Sequence, residues 1–196
     1  MQLFWRLVAH FLANHPRAVD WLIQRAQRTP YTHIASADGK EVYMGRYWLF
    51  NPYGRDADNN PTPARWPWLP SVRIHHIRRA DQDRDLHDHP WNARTIVLRG
   101  WYEEERPTLA CSAEDLVEYC TEFTLHSREQ RATLLRQAGY TGRLLFGQYH
   151  RISRVSPGGV WTLFITGRHR GEWGFQVKGR KVPWRVYLGL DKGDAA

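Results

Sequence analysis

Two histidines separated by a single residue, His87 and His89, open the chemically suggestive part of this 196-residue sequence, in the run Asp85-Leu86-His87-Asp88-His89-Pro90-Trp91. In an extended segment residues i and i+2 point to one face, so both imidazoles aim the same way. Two nitrogens so placed can each approach one metal ion to ~2.0–2.2 Å. A third histidine, His150, comes far downstream in Gly147-Gln148-Tyr149-His150, and Arg151-Ile152-Ser153-Arg154 continues from it. Counting in twos from His150 puts Ile152 and Arg154 on the ligand face of the same strand, unless a bulge intervenes. A guanidinium inside a protein is costly without an anion, and its planar fork matches a carboxylate or phosphate. Arg154 is therefore the candidate clamp for a small anionic substrate, with pairing to an internal acid such as Glu103 as the plainer alternative. Tyr102 and Tyr149 are candidates to line the mouth or donate a proton, or else they are packing. His75 and His76 are adjacent, so only one can face inward; it would add a hydrogen bond to a ligand histidine or, the plainer reading, both are ordinary strand histidines.

The elements that must hold these residues divide the chain in two. Residues 1–30 form a helical arm: Leu3, Phe4, Leu7, Val8, Phe11 and Leu12 follow the i, i+3, i+4 stripe of a helix. Asn14-His15-Pro16 breaks it, and proline suits the first turn of the helix that follows. From residue 31 to 196 short alternating segments are punctuated by Gly, Pro and Asn. Strands are predicted at 41–50 (after an Asp38-Gly39 turn), 72–77, 94–103, 119–125, 143–155, 160–168, 172–177 and 182–188. Residues 51–70, rich in Pro, Asn and Asp, read as a loop. Residues 112–118 and 127–138 read as a helical insertion, so that the domain carries one near 112–138. The tail, with Glu172-Trp173-Gly174-Phe175 and Val182-Pro183-Trp184, reads as a strand and aromatic segment that either completes a sheet interface or lids the barrel mouth. The fold class is mainly β, a sandwich or barrel.

The order of these motifs resembles the cupin superfamily, small jelly-roll β-barrels with two signatures, G-x5-H-x-H-x3/4-E-x6-G and G-x5-P-x-G-x2-H-x3-N. His87 and His89 stand at the first signature's interval from Gly100, and Gly139, Gly147 and His150 fall at the intervals of the second. The likeness covers roughly residues 70–168. Departures are specific: Asp81 replaces the first glycine, Ala93 the glutamate, Leu145 the proline and Arg154 the asparagine. What the resemblance implies is a cupin-like jelly-roll with an N-terminal helical arm and a metal held by His87, His89 and His150. The thiol dioxygenases are the cupin pattern that such a three-histidine site is similar to. With the usual glutamate missing, Glu103 and Glu104 are the nearest carboxylates, and Glu103 is a possible fourth ligand. Iron is favoured where oxygen is activated, with zinc, nickel or manganese as alternatives.

Composition narrows the function classes. Hydrophobic residues make up 42% and charged residues 24%, which is the balance of a globular chain rather than a disordered one. Two cysteines, Cys111 and Cys120, cannot build a disulfide framework or by themselves a zinc site. The formal charge of +8 comes mostly from arginines scattered singly, where nucleic-acid binding favours a block or stripe. No apolar run reaches the ~20 residues of a membrane span, and Arg6 and His10 interrupt any signal-peptide core. The expectation is a cytoplasmic, metal-dependent oxygenase or isomerase acting on a small anionic substrate. The alternatives are a non-enzymatic small-ligand or sugar-binding module and, third, a nucleic-acid binder. The helical arm or sheet edges would serve a homo-oligomer; an interfacial membrane anchor is the sharper alternative for the arm.

Overall fold

A computed structural model of the chain describes residues 2–36, 39–57, 62–126 and 129–190. Helices α1 (Gln2–Asn14) and α2 (Pro16–Gln27) come first. The strands follow as β1 (Ile34–Ala35), β2 (Val42–Phe50), β3 (Ser71–Ile77), β4 (Leu86–His87), β5 (Trp91–Arg99), β6 (Trp101–Pro107) and β7 (Cys120–His126). Then come β8 (Glu129–Gln137), β9 (Thr141–Leu144), β10 (Arg151–Val155), β11 (Val160–His169), β12 (Gly174–Val177) and β13 (Arg180–Pro183), and a single helical turn, α3 (Trp184–Tyr187). All pairings between these strands are antiparallel. A six-stranded sheet has the order β1-β2-β3-β11-β5-β9, a four-stranded sheet β10-β6-β8-β7, and a small third sheet β13-β12-β4. Among the described residues no helix is long and apolar enough to cross a membrane.

Alternation along the strands sorts side chains into two layers. On the outer face of the six-stranded sheet Ile74, Ile96, Leu98 and Leu163 meet Ala9, Leu12, Val19, Ile23 and Ala26 of the helices. Each fully buried Leu or Ile there stabilises the docked arm by about 1.5–3 kcal/mol. On the inner face Ile77, Val97 and Val160 close one end of the barrel against Tyr102, Tyr140 and Ile152. Pro16 occupies the start of α2, where its missing N–H costs nothing.

Four expectations are corrected. The stripe on α1 is only half right: Leu12 is buried and Val8 partly so, but Leu3, Phe4, Leu7 and Phe11 are exposed, and the fully buried Ala9 sits at the close approach to the sheet. Apolar residues lie on more than one face of this helix, and the smallest sets the packing. The helical insertion at 127–138 is instead the strand β8, whose pairing with β6 and β7 overrides the helix preference of its Ala and Leu residues; Ser127 and Arg128 lie outside the described residues. Only Asp115–Tyr119 makes a wide helical turn in that region. The predicted 94–103 strand is two strands broken at Gly100, whose φ of +78° carries the chain from one sheet to the other. A Cβ at that glycine would lie 2.6 Å from Ser156 Oγ and 2.7 Å from the Gly159 carbonyl oxygen. The tail turns into α3 at Trp184, so the strand expected at 182–188 holds only at its first two residues, the end of β13. Asp38 of the expected turn and residues 58–61 of the 51–70 loop are outside the described residues.

Candidate metal centre

His87 and His150 form a directly opposed antiparallel pair: each backbone N–H donates to the other's carbonyl at 2.9 Å. This pairing brings together two imidazoles distant in sequence, with ring centroids 4.9 Å apart. His89 joins them, 5.3 Å from His87 and 5.1 Å from His150 between ring centroids. One ring nitrogen from each histidine lies within 4.8 Å of the others. Asp88, between the first two, points the other way. It is fully buried and accepts hydrogen bonds from Gly174 N at 2.7 Å and Lys181 Nζ at 2.6 Å, fastening the tail sheet to the barrel. The tail then covers the site: Trp173 and Phe175 stand 6.0 and 5.9 Å from the His87 ring, and Tyr187 stacks on Phe175 at 3.8 Å.

The donor set suits a divalent ion. His89 Nε2 and His150 Nε2 are 3.0 Å apart. Two imidazole nitrogens in cis positions at ~2.1 Å from one ion stand about 3 Å apart, so the separation fits adjacent ligands. Burial pushes the His87 pKa down to about 4 and that of His89 well below its usual value, with neighbouring His150 adding to both; Asp81 partly opposes the shift at His87. Neutral imidazole is the form that binds metal.

His150 is oriented by a carboxylate. Its Nδ1–H donates to Glu104 Oε1 at 2.8 Å, which leaves Nε2 as the lone-pair nitrogen. Glu104 is buried and also accepts from Arg106 Nη2 at 2.8 Å and Arg136 Nε at 3.0 Å. Burial by itself would raise its pKa, but Arg106, the His150 hydrogen bond and Arg136 outweigh that and hold it well below the ordinary value. Asp81, in place of the motif glycine, lies 4.0 Å from His87 Nδ1 and accepts from Ile152 N at 2.7 Å and from the Tyr43 hydroxyl.

Several expected roles fall away. Glu103 faces outward, since β6 alternates with Tyr102, Glu104 and Arg106 inside; it pairs with Arg154 and is not a fourth ligand. Arg154 does not line the interior either. The pairing of β10 with β6 shifts register between Ile152 and Arg154, and this bulge turns the guanidinium out, leaving its side chain 65% exposed. Tyr102 belongs to the apolar closed end, where burial and then Glu104 raise its pKa well above the usual value. Tyr149 is half-buried, its pKa raised by burial and then by Asp88. His75 is the inward member of its pair, buried and stacked on Phe164 at 4.8 Å, but its Nε2 reaches no ligand histidine and has no hydrogen-bond partner. His76 faces out, stacking on Trp161 at 4.0 Å.

Sequence reasoning missed Arg73, on the same inward face of β3 as His75. Its parity with His75 in Val72-Arg73-Ile74-His75 was the available signal.

No family model matches the chain, and no curated protein matches it. Solved structures do. The chain is similar to a cupin-2 domain from Rhodospirillum rubrum, at 11% identity over 84% of this chain and 82% of that one, with a TM-score of 0.43. It is similar to oxalate decarboxylase from Bacillus subtilis at 14% identity and a TM-score of 0.44, over 82% of this chain but only 32% of that one. It also resembles a protein from Ralstonia eutropha described as a candidate mannose-6-phosphate isomerase, at 12% identity and a TM-score of 0.35, over 50% of this chain and 74% of that one. Likeness at these levels transfers neither substrate nor reaction. Motif order and facing antiparallel sheets establish the architecture on their own: the chain is a cupin-like β-barrel with an N-terminal helical arm.

Proposed function

We propose that the protein is a metal-dependent enzyme, an oxygenase or isomerase, acting on a small anionic substrate at the barrel mouth. The observation that carries it is the convergence of His87, His89 and His150, whose donor nitrogens lie within 4.8 Å of one another. A divalent ion there, iron where oxygen is consumed and manganese, nickel or zinc otherwise, would act as a Lewis acid that orients substrate and polarises a bound oxygen. The chain's own contributions are positional. Glu104 keeps the His150 proton on Nδ1, the His87–His150 backbone pair sets the spacing of two donors, and Trp173 and Phe175 place apolar rings beside His87. Elemental analysis of protein purified without added metal tests the site, and oxygen uptake with small carboxylates tests the reaction class. Stoichiometric metal that disappears in His150→Ala supports the proposal. Metal-free protein that is indifferent to chelator and to added divalent ions leaves the non-enzymatic binding module instead.

A further inference from the structure

Among the described residues four arginines are buried: Arg73, Arg106, Arg131 and Arg136. Arg106 and Arg136 share Glu104, and Arg131 lies 3.3 Å from Glu105. Arg73 differs. It is 1% exposed, and among the described residues its hydrogen bonding is limited to Nη1 donating to the Tyr53 hydroxyl at 3.1 Å. Its Nε–H is enclosed and unpartnered, as are those of Arg106 and Arg131, but those two have a carboxylate at their Nη atoms and Arg73 has none among the described residues. Instead of a carboxylate, rings surround the guanidinium: Trp48 at 5.2 Å, Trp91 at 5.3 Å, Tyr53 and Phe164 at 5.6 Å and Tyr31 at 5.8 Å from the ring centroids. Cation–π contact offsets part of the cost of burying the charge but leaves the in-plane donors unmet. A second guanidinium adds to the positive field. Arg46 is adjacent on β2, and burial followed by Arg73 lowers its pKa to about 10.

Two more orphaned polar atoms belong to the same region. Trp91 Nε1–H is buried without an acceptor, and so is His75 Nε2, two residues along β3 from Arg73. Two of the three, Arg73 Nε and Trp91 Nε1, can only donate. Neighbouring buried donors left without acceptors point to an anion. The metal centre is next door. Phe164 and Trp91, which flank Arg73, also stand 6.1 and 6.2 Å from the His89 ring.

We infer that Arg73, with Trp91 Nε1 and His75, forms the receptor for a compact carboxylate whose far end faces the three-histidine centre. The substrate class of the proposed enzyme is thus a small monocarboxylate or 2-substituted acid, seated by Arg73 rather than Arg154. A planar two-oxygen group matches the in-plane donors of a guanidinium flanked by rings, whereas a tetrahedral phosphate is bulkier and carries more charge. The inference rests on the metal-centre reading for the orientation of the substrate, but not for the receptor itself.

Trp48 and Trp91 serve as built-in reporters. Chelator-treated full-length protein is titrated with sodium acetate at constant ionic strength, with chloride and phosphate as comparison salts, following intrinsic fluorescence and Tm. Acetate is expected to change the fluorescence saturably and raise Tm, chloride and phosphate much less. Arg73→Met is expected to weaken acetate at least tenfold, and Arg73→Lys, which keeps the charge and loses the fork, to fall between. Arg154→Leu is expected to bind acetate as the wild type does. A wild-type protein with no saturable response to acetate overturns the proposal without recourse to any variant, as does equal binding by Arg73→Met if that variant folds. Phosphate binding in preference to acetate overturns the carboxylate assignment. Acetate binding by a protein that takes up no divalent ion keeps the receptor and removes the metal centre; metal uptake without acetate binding does the reverse.

Discussion

Glu104→Gln separates the positioning role of this carboxylate from its bulk. The side chain keeps its shape and loses one charge, while Arg106 and Arg136 stay buried beside it and His150 Nδ1 faces an amide. Removing one partner of a buried ion pair costs about 3–5 kcal/mol, because the other charges remain in the interior. Asp115, 2.7 Å from Arg136 Nη2, still balances part of the charge, which favours the lower end. For a chain of this length each 1 kcal/mol lowers Tm by about 2–4 °C, so the expected drop is roughly 6–20 °C. Metal affinity should fall by about 10–100-fold, the usual effect of losing a carboxylate behind a ligating histidine. Calorimetry of the metal-free variant reads the first effect, and competition against a chelator reads the second. Glu103→Gln is the matched control, since its ion pair with the half-exposed Arg154 is worth less than about 1 kcal/mol. The acid limb adds a signed test. A carboxyl held below its usual 4.5 in the folded state contributes stability above that pH and loses it as pH falls through the lower folded value. The gap between wild type and Glu104→Gln should therefore be full above about pH 4.5 and close in stronger acid. If the Gln substitutions at 103 and 104 prove indistinguishable in Tm and in metal affinity, Glu104 does not organise the site.

His150→Ala should abolish stoichiometric metal while leaving the far-ultraviolet dichroism of the β-fold intact; retained metal at full occupancy would place the centre elsewhere. In chelator-treated protein His87 is neutral when folded, with its pKa near 4, and protonates more readily when unfolded, near 6.5, so it contributes stability above pH 6.5 that is lost as pH falls toward 4. The loss is up to about 3 kcal/mol by linkage, and a His87→Gln variant should show a shallower denaturation profile across that interval. Gly100→Ala should destabilise by about 2 kcal/mol or more in urea unfolding, combining left-handed strain with the crowding at Ser156 and Gly159. Arg154→Leu should change Tm by no more than about 2–4 °C and leave metal content unchanged, since its partner Glu103 is on the outer face.

The convergence of the three histidines was legible because each lay in a short pattern that fixes its direction. His87 and His89 share parity, and His150 sits at a set interval from the turn glycines Gly139 and Gly147, both with positive φ. The two helices were legible for the same kind of reason, with Pro16 marking the boundary. Parity counting failed at Arg154 because a one-residue bulge at Ser153 inverts every later side chain, and no residue type there announces it. It failed at β8 because Arg131 and Arg136 are buried by ion pairing, so that charged residues occupy positions a hydrophobic pattern would leave to solvent. Glu104 was named among the candidate carboxylates, but its function as the brace of His150, rather than as a ligand, depends on two arginines that only the sheet pairing brings to it.

The inner surface of the barrel is graded along its axis, and the grading says where chemistry can occur. At one end Ile77, Val97, Ile152 and Val160 pack with the rings of Tyr102 and Tyr140 and leave no charge to act on a ligand. In the middle Glu104 is ion-paired with Arg106 and Arg136, a charged cluster able to orient His150 without itself reacting. Toward the mouth stand three imidazoles with donor atoms within 4.8 Å of one another, and a guanidinium caged by rings, its Nε–H unpaired and, among the described residues, without a carboxylate. Cores that break the rule of polar satisfaction do so at a cost in stability, and such departures concentrate where a ligand completes the set. A protein shaped only for stability would place a methionine at position 73 and a hydrophobic residue at 89. An arginine and a histidine there, on walls shared through Trp91 and Phe164, are what the proposed carboxylate receptor and metal centre would need to act on one small molecule.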